Sequence, residues 1–132
     1  MDLTGFQIFD FSIGVPSVSI TRYGVTFNKS TVLKLGNPEY VRLFIKRDAK
    51  LIALRSCKKT DTGAVKFYRA KKSGVMSVRW NHGGLMNELR VLLKSDLNTN
   101  GFRVSGERVD CDTILFDMNT AKPLTQRSIR NE

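Results

Sequence analysis

The stretch Val41-Arg42-Leu43-Phe44-Ile45-Lys46-Arg47-Asp48-Ala49-Lys50-Leu51-Ile52-Ala53-Leu54-Arg55 sets how the rest of the chain is read. Val41, Leu43 and Ile45 alternate with Arg42, Phe44 and Lys46, the period of two expected of a half-buried strand. Lys46 to Lys50 is a polar turn, and Leu51 to Leu54 resumes the apolar run. Two such runs around a short polar turn predict a β-hairpin. The hairpin is also basic. Residues 42–79 hold twelve Lys or Arg against Asp48 and Asp61, a net +10 that equals the formal charge of the whole 132-residue chain. The other residues carry ten bases and ten acids and balance.

N-terminal to the hairpin, Val18 and Ile20 alternate with Ser19 and Thr21, Tyr23-Gly24 forms a turn, and Val25-Thr26-Phe27 is extended. Asn28 and Ser30 offer side-chain acceptors for the free N–H groups of a helix start. Val32, Leu33 and Leu35 give that short helix an apolar face. Gly36-Asn37-Pro38 ends it, with Gly suited to the C′ position. Residues 1–17, with Phe6, Ile8, Phe9, Phe11 and Ile13, form a lead-in segment expected to pack on the body.

C-terminal to the hairpin, Lys58 to Gly63 is a polar connection, and Ala64 to Ala70 is a strand candidate. Lys71-Lys72-Ser73-Gly74 marks an internal boundary. Val75 to Trp80 is the next strand candidate. Leu85, Met86, Leu89, Leu92 and Leu93 are spaced by threes and fours, which predicts an amphipathic helix through about Lys94. After an Asn-rich loop, Phe102-Arg103-Val104, a Gly106-Glu107 turn and Cys111 to Met118 suggest a last hairpin. Residues 119–132 form a polar tail.

These readings give a single α+β, β-rich domain, 1–132. Each half follows the order strand, helix, hairpin, a basic unit over 18–72 and a second over 75–118. That order suggests two units forming one barrel-like pseudo-dimer. A pseudo-dimer predicts a monomer, and two unrelated halves leave a homodimer open.

The stretch Gly24-Val25-Thr26-Phe27-Asn28-Lys29-Ser30-Thr31-Val32-Leu33-Lys34-Leu35-Gly36, followed by the hairpin Tyr40 to Arg55, resembles the opening of the AbrB/SpoVT/MazE swapped-hairpin family. Shared features are a turn glycine, a short extended segment, a polar cap and a short helix ending in Leu-Gly before a β-hairpin. Asn28 stands where many members have Pro, and Val32 and Leu33 where an Arg is usual. The resemblance covers about a quarter of the chain. It implies a small β-barrel built from two swapped units, here in tandem as in MraZ-type proteins. It also implies a DNA-binding transcription regulator acting through basic residues on strands and loops.

The composition bounds the function classes. A sequence pI near 10.0 favours an anionic partner, most often nucleic acid. No apolar run approaches the roughly 20 residues of a membrane span. Met1-Asp2-Leu3-Thr4-Gly5 lacks the basic start of a secretory signal, so a cytoplasmic location is expected. Cys57 and Cys111 stand alone, without a CxxC or Cys/His cluster, so neither a zinc site nor any other cofactor is expected.

Candidate nucleic-acid contacts follow from these patterns. Lys46, Arg47, Lys50, Lys58, Lys59, Lys71 and Lys72, in turns and loops, suit phosphate oxygens. Arg42, Arg55 and Arg69 suit the forked contact to a guanine edge, and Lys66 joins them from a strand. Tyr40, Phe44 and Tyr68, interleaved with these bases, are candidates for stacking on unpaired bases. DNA is favoured over RNA.

Two alternatives use the same features. The basic face can meet an acidic protein instead. Glu107, Asp110, Asp112 and Asp117 form an acidic counterpart, in which Asp110 and Asp112, expected to project to one side of a strand, offer paired carboxylates to a Mg²⁺ ion for a nuclease. Gly83-Gly84 before the long helix offers N–H groups to a phosphate. The simpler reading of that segment is a strand-to-helix turn with Trp80 in the core. The single His82 leaves little room for a nucleophilic triad.

Overall fold

Hydrophobic alternation and one amphipathic helix fold into an antiparallel sheet wrapped around a single core. The computed structural model describes residues 1–6, 14–98 and 100–124. Strands β1 (Ser17–Thr21) and β2 (Gly24–Phe27) form a hairpin. Helix α1 (Lys29–Lys34) follows, then the hairpin of β3 (Tyr40–Lys46) and β4 (Leu51–Cys57). Two short strands come next, β5 (Val65–Lys66) and β6 (Val78–Trp80). Helix α2 (Gly83–Leu93) leads to the hairpin of β7 (Phe102–Asp110) and β8 (Thr113–Asp117). A 3₁₀ turn (Met118–Thr120) and β9 (Lys122–Pro123) close the described chain.

Eight strands run in the order β5-β3-β4-β8-β7-β1-β2-β6, and β9 pairs with β7 off this path. The chain is therefore α+β and β-rich, with its sheet curled into a half-barrel. The hairpin β7–β8 lies between the two hairpins of the first half, pairing β8 with β4 and β7 with β1. The two halves thus share one sheet.

The inward positions form one core. Val18, Ile20, Val25, Phe27, Val41, Ile52, Leu54, Val104, Ile114 and Phe116 supply it from the strands, and Met86, Leu89 and Leu92 from α2. Val41, Ile52 and Leu54 point inward in register across the first hairpin, as the alternation of strand side chains requires. The three- and four-residue spacing expected for α2 is the face it buries, with Leu85 and Leu93 half-buried at its margins.

Local signals set the helix ends. Asn28 caps α1, its side-chain oxygen accepting from the Thr31 N–H at 3.0 Å. At the other end the Gly36 N–H donates to the Leu33 carbonyl and the Asn37 N–H to the Val32 carbonyl, both at 3.0 Å. This is the Schellman arrangement, and Gly36 adopts the positive φ of 84° that it needs. His82 caps α2, its Nδ1 accepting from the Leu85 N–H at 3.2 Å.

The structure corrects three expected elements. The stretch 64–70 pairs as a strand only at Val65–Lys66. Beyond it the Phe67 and Tyr68 N–H groups bond the carbonyls of Glu39 and Pro38, and Phe67 turns into the core. The expected strand 75–80 shortens to Val78–Trp80. Gly106-Glu107 is no turn: β7 runs on to Asp110 and reverses at Cys111-Asp112. Gly106 marks the handover of β7 from β1 to β8, and a Cβ there would lie 2.6 Å from the Phe116 ring. Glycine in mid-strand reports close approach as often as a turn.

The polar tail is structured through residue 124, with β9 beside the start of β7. Arg127, Arg130 and the rest of 125–132 lie outside the described residues, as do Ile8, Phe9, Phe11 and Ile13 of the lead-in segment; Phe6 is exposed. Among the described residues no helix is long and apolar enough to cross a membrane.

Candidate functional site

Strand alternation divides the first hairpin into an inward apolar face and an outward one. Val41 and Leu54 are inward, so Tyr40, Arg42, Phe44 and Lys46 of β3 and Arg55 of β4 share the outward face. Arg42 and Arg55 are direct cross-strand neighbours. The Arg42 guanidinium carbon sits 5.6 Å from the centroid of the Phe44 ring, within cation–π range. The Arg42 Nε is buried and has no hydrogen-bond partner. Phe44 is 44% exposed.

The candidate bases fall at the two ends of this hairpin, roughly 20 Å apart along a seven-residue strand. At the turn end stand Lys46, Arg47 and Lys50. At the other end Tyr40, Lys58, Lys59 and Arg69 line a polar cleft of about 520 Å³, together with Glu39 and Cys57. Lys66 on β5 is paired in register with Tyr40, beside this cleft. The loop carrying Lys58 is fixed by the Asp61 carboxylate, which accepts from the Lys58 N–H at 2.9 Å. Burial and then the nearby Asp61 charge push the Cys57 thiol up, against a smaller opposing effect of Arg42. Lys71 and Lys72 sit in an exposed turn away from the cleft lining. Tyr68 is not on a strand; it packs half-buried against the core.

Two of the candidate bases are already paired. Arg47 donates to Glu88 on α2 through Nε at 2.9 Å and Nη2 at 3.0 Å. This hydrogen-bonded pair raises the Arg47 pKa and lowers that of Glu88. Arg55 donates to Thr113 Oγ1 at 2.7 Å, and its guanidinium lies 3.3 Å from Asp110 and 3.6 Å from Asp112. Among the described residues these are the ion pairs of the basic segment. Ten of its twelve bases therefore carry charge that no described acid compensates at contact distance.

Of the four acidic residues, two come together. Asp110 and Asp112 meet at the β7–β8 turn, where the Asp112 N–H donates to Asp110 Oδ1 at 3.1 Å. The Asp110 carboxyl is pulled down to about 2. The largest cause is the hydrogen bond with the Asp112 side chain, then the one from the Asp112 backbone, then Thr113, with the Arg55 charge last among the lowering effects. Asp117 accepts from the Asn119 N–H at 3.0 Å in the 3₁₀ turn, and Glu107 sits opposite Leu115. No group of three or more His, Cys, Asp or Glu able to hold a metal occurs among the described residues.

Gly83-Gly84 lies in the expected strand-to-helix passage and begins α2, with His82 as the cap at the helix start. Trp80 packs edge-on against Phe27 at 5.1 Å and Phe67 at 5.9 Å. Sequence reasoning missed Glu39, which lies in the polar cleft, and Arg79, which was counted in the charge but given no role. Glu39 immediately precedes β3, and Arg79 stands on β6 opposite Thr26 of β2; no local pattern marks either place. Comparison with family models, with curated proteins and with solved structures finds no match.

Proposed function

We propose that this protein binds nucleic acid through the basic end and outward face of the β3–β4–β5 sheet. The observation that carries the reading is the uncompensated charge. Twelve bases concentrate in 42–79, and the described acids pair only with Arg47 and Arg55. A folded cationic surface of this density attracts a polyanion over several ångströms and releases its counterions on contact. Lys58, Lys59, Lys66 and Arg69 anchor phosphates around the polar cleft, with Lys46 and Lys50 at the far end and Lys71 and Lys72 on the flanking turn. Arg42 lies over Phe44 on the outward face and has no ion-pair partner among the described residues, so it is the strongest candidate for contact with a base. DNA is the favoured polymer and transcription regulation the favoured setting.

A swapped-hairpin pseudo-dimer is part of this proposal, and a monomer in solution with it. The support is the order of elements and the seating of β7–β8 between β1–β2 and β3–β4. The test of binding is an anisotropy titration of labelled duplex and single-stranded oligonucleotides at several salt concentrations. Binding that weakens steeply with salt is expected. No binding at low salt, or binding without a salt slope, removes the proposal.

One observation favours a second reading. Phe44, Leu51, Ala53 and Leu115 make an apolar strip on the outward face beside Arg42 and Lys46. An acidic protein with an apolar ridge fits such a strip. Capture of a protein that survives nuclease treatment, and is lost in Phe44→Ser, supports this reading over nucleic acid.

A further inference from the structure

The two edges of the curled sheet approach each other without pairing. β5 and β6 are joined by a side-chain bond, the Trp80 Nε1 donating to the Lys66 carbonyl at 3.2 Å. β5 pairs only with Tyr40 and Val41, so β3 from Arg42 onward has no strand neighbour on that side among the described residues. The gap is a cleft of about 480 Å³, a size that holds a small-molecule-sized group. Leu43, Trp80 and Leu85 give it an apolar lining, and Lys66, Arg79 and Asn81 stand among its polar groups. Neither Lys66 nor Arg79 has an ion-pair partner among the described residues. The cleft is not isolated from the basic surface: Lys66 pairs in register with Tyr40, which lines the polar cleft of Lys58, Lys59 and Arg69.

We propose that this seam cleft receives one unstacked base of a single-stranded nucleic acid, whose adjoining phosphates lie on Lys66 and Arg79. The inference rests on the nucleic-acid reading above and narrows it to unpaired strands. A nucleobase has apolar faces, a hydrogen-bonding edge and an attached anion. The cleft offers the matching set, an indole and two leucines for the faces, the Asn81 amide for the edge and two cations for the anion. His82 also lines it, and because Nδ1 accepts the helix-cap bond, Nε2 carries the ring N–H. A peptide carboxylate would use the cations and leave the apolar lining in water. A duplex keeps both faces of each base stacked and must flip one out, at a cost, to fill the cleft.

Trp80 is the single tryptophan, so emission excited selectively from tryptophan reports this cleft alone. The full chain is titrated with a short oligothymidylate, with thymidine 5′-monophosphate and with inorganic phosphate. Anisotropy of a labelled oligothymidylate and of a labelled duplex is followed in parallel. The expected result is quenching by the oligomer, quenching by the monophosphate at higher concentration, and none by inorganic phosphate. Val65 lines the cleft and is 44% exposed, so Val65→Phe fills it without touching the core. That variant is expected to weaken single-strand binding about tenfold and leave duplex binding within about twofold. Arg79→Gln, at an exposed position, weakens the single strand several-fold as an independent check; thermal melts confirm that both variants fold.

Oligomer binding with unchanged Trp80 emission and full affinity in both variants overturns the cleft and leaves nucleic-acid binding standing. Quenching by the monophosphate without any oligomer binding overturns the strand and assigns a free nucleotide. No anisotropy change with any oligomer at low salt and no quenching by the monophosphate overturns both readings.

Discussion

Arg55 on β4 reaches across β8 to Asp110 at the end of β7, with 3.3 Å between Nη2 and Oδ2. The contact crosses from the basic half of the chain to the acidic hairpin, and Thr113 and Asp112 complete it. Asp110 has its pKa lowered from the ordinary 3.8 to about 2, first by the hydrogen bonds with the Asp112 side chain and backbone, then by Thr113, and least by the Arg55 charge. A carboxylate with a depressed folded pKa contributes stability above its unfolded pKa and loses it as pH falls through the folded value. The stability difference between the parent chain and Asp110→Asn is therefore expected to be constant above about pH 5 and to shrink steadily as pH falls from there through about 2. Denaturant melts across that range measure it. A difference that does not decline between about pH 5 and pH 2 contradicts the assignment.

The same contact ranks the two cross-strand arginines. Arg55 is held by acids, and Arg42 has no ion-pair partner among the described residues. Arg42→Ala is expected to weaken oligonucleotide binding about fivefold or more, and Arg55→Ala by less than about twofold, on the strength of one charge-assisted contact. Relieving Arg55 by the double change Asp110→Asn, Asp112→Asn is expected to strengthen binding. Anisotropy titrations of the variants at one salt concentration give the order. Equal losses in the two single variants contradict it.

The first hairpin was legible in the sequence because its two strands are adjacent and alternate strictly from Val41 to Leu54. The cap at Asn28, the stop at Gly36 and the buried face of α2 were legible for the same reason, since each is a local signal. Leu97 was not. It is buried in an Asn-rich loop at a positive φ of 66°, and nothing within a few residues distinguishes it from a solvated position. Phe67 is buried toward Phe27 and Trp80, as its alternation with Lys66 and Tyr68 implies, but the strand stops at Lys66 because the backbone beyond it bonds Glu39 and Pro38. The charge count located the basic surface. It did not reveal that Arg47 and Arg55 are neutralised, because Glu88 lies 41 and Asp110 55 residues away in sequence.

Gly106 is where packing and not conformation demands glycine. A Cβ there would lie 2.6 Å from Phe116 and 2.8 Å from Ile114, both fully buried. Gly106→Ala must displace core side chains or bend β7 away from β8. The expected cost is about 1–3 kcal/mol, the usual range for overpacking, read as a lower urea midpoint with an unchanged slope. A neutral effect shows that β7 shifts freely at the handover.

Lys94 ends α2 with φ at +53°, a conformation that costs a residue with a Cβ roughly 1 kcal/mol. Its N–H donates to the Val91 carbonyl at 3.2 Å and the Ser95 N–H to the Arg90 carbonyl at 3.1 Å, bonds that any residue can make. Lys94→Gly is therefore expected to raise stability by about 0.5 kcal/mol, less than the relieved strain because glycine loosens the unfolded chain. Thermal melts give the sign. A loss of stability means that the lysine side chain has a contact the cap geometry does not reveal.

The polar cleft predicts how binding responds to salt. Lys58, Lys59 and Arg69 line it, and none has an ion pair among the described residues. If each neutralises one phosphate, the slope of log affinity against log salt falls by roughly 0.7 per contact for a single strand and 0.9 for a duplex. The triple variant Lys58→Ala, Lys59→Ala, Arg69→Ala is then expected to lose roughly 2 to 3 units of slope. Arg47→Ala makes the useful contrast, because Glu88 already occupies that guanidinium and the slope is expected to stay nearly constant. Affinity titrations from low to moderate salt measure both. An unchanged slope in the triple variant would move the phosphate contacts to the turn end, where Lys46 and Lys50 become the residues to replace.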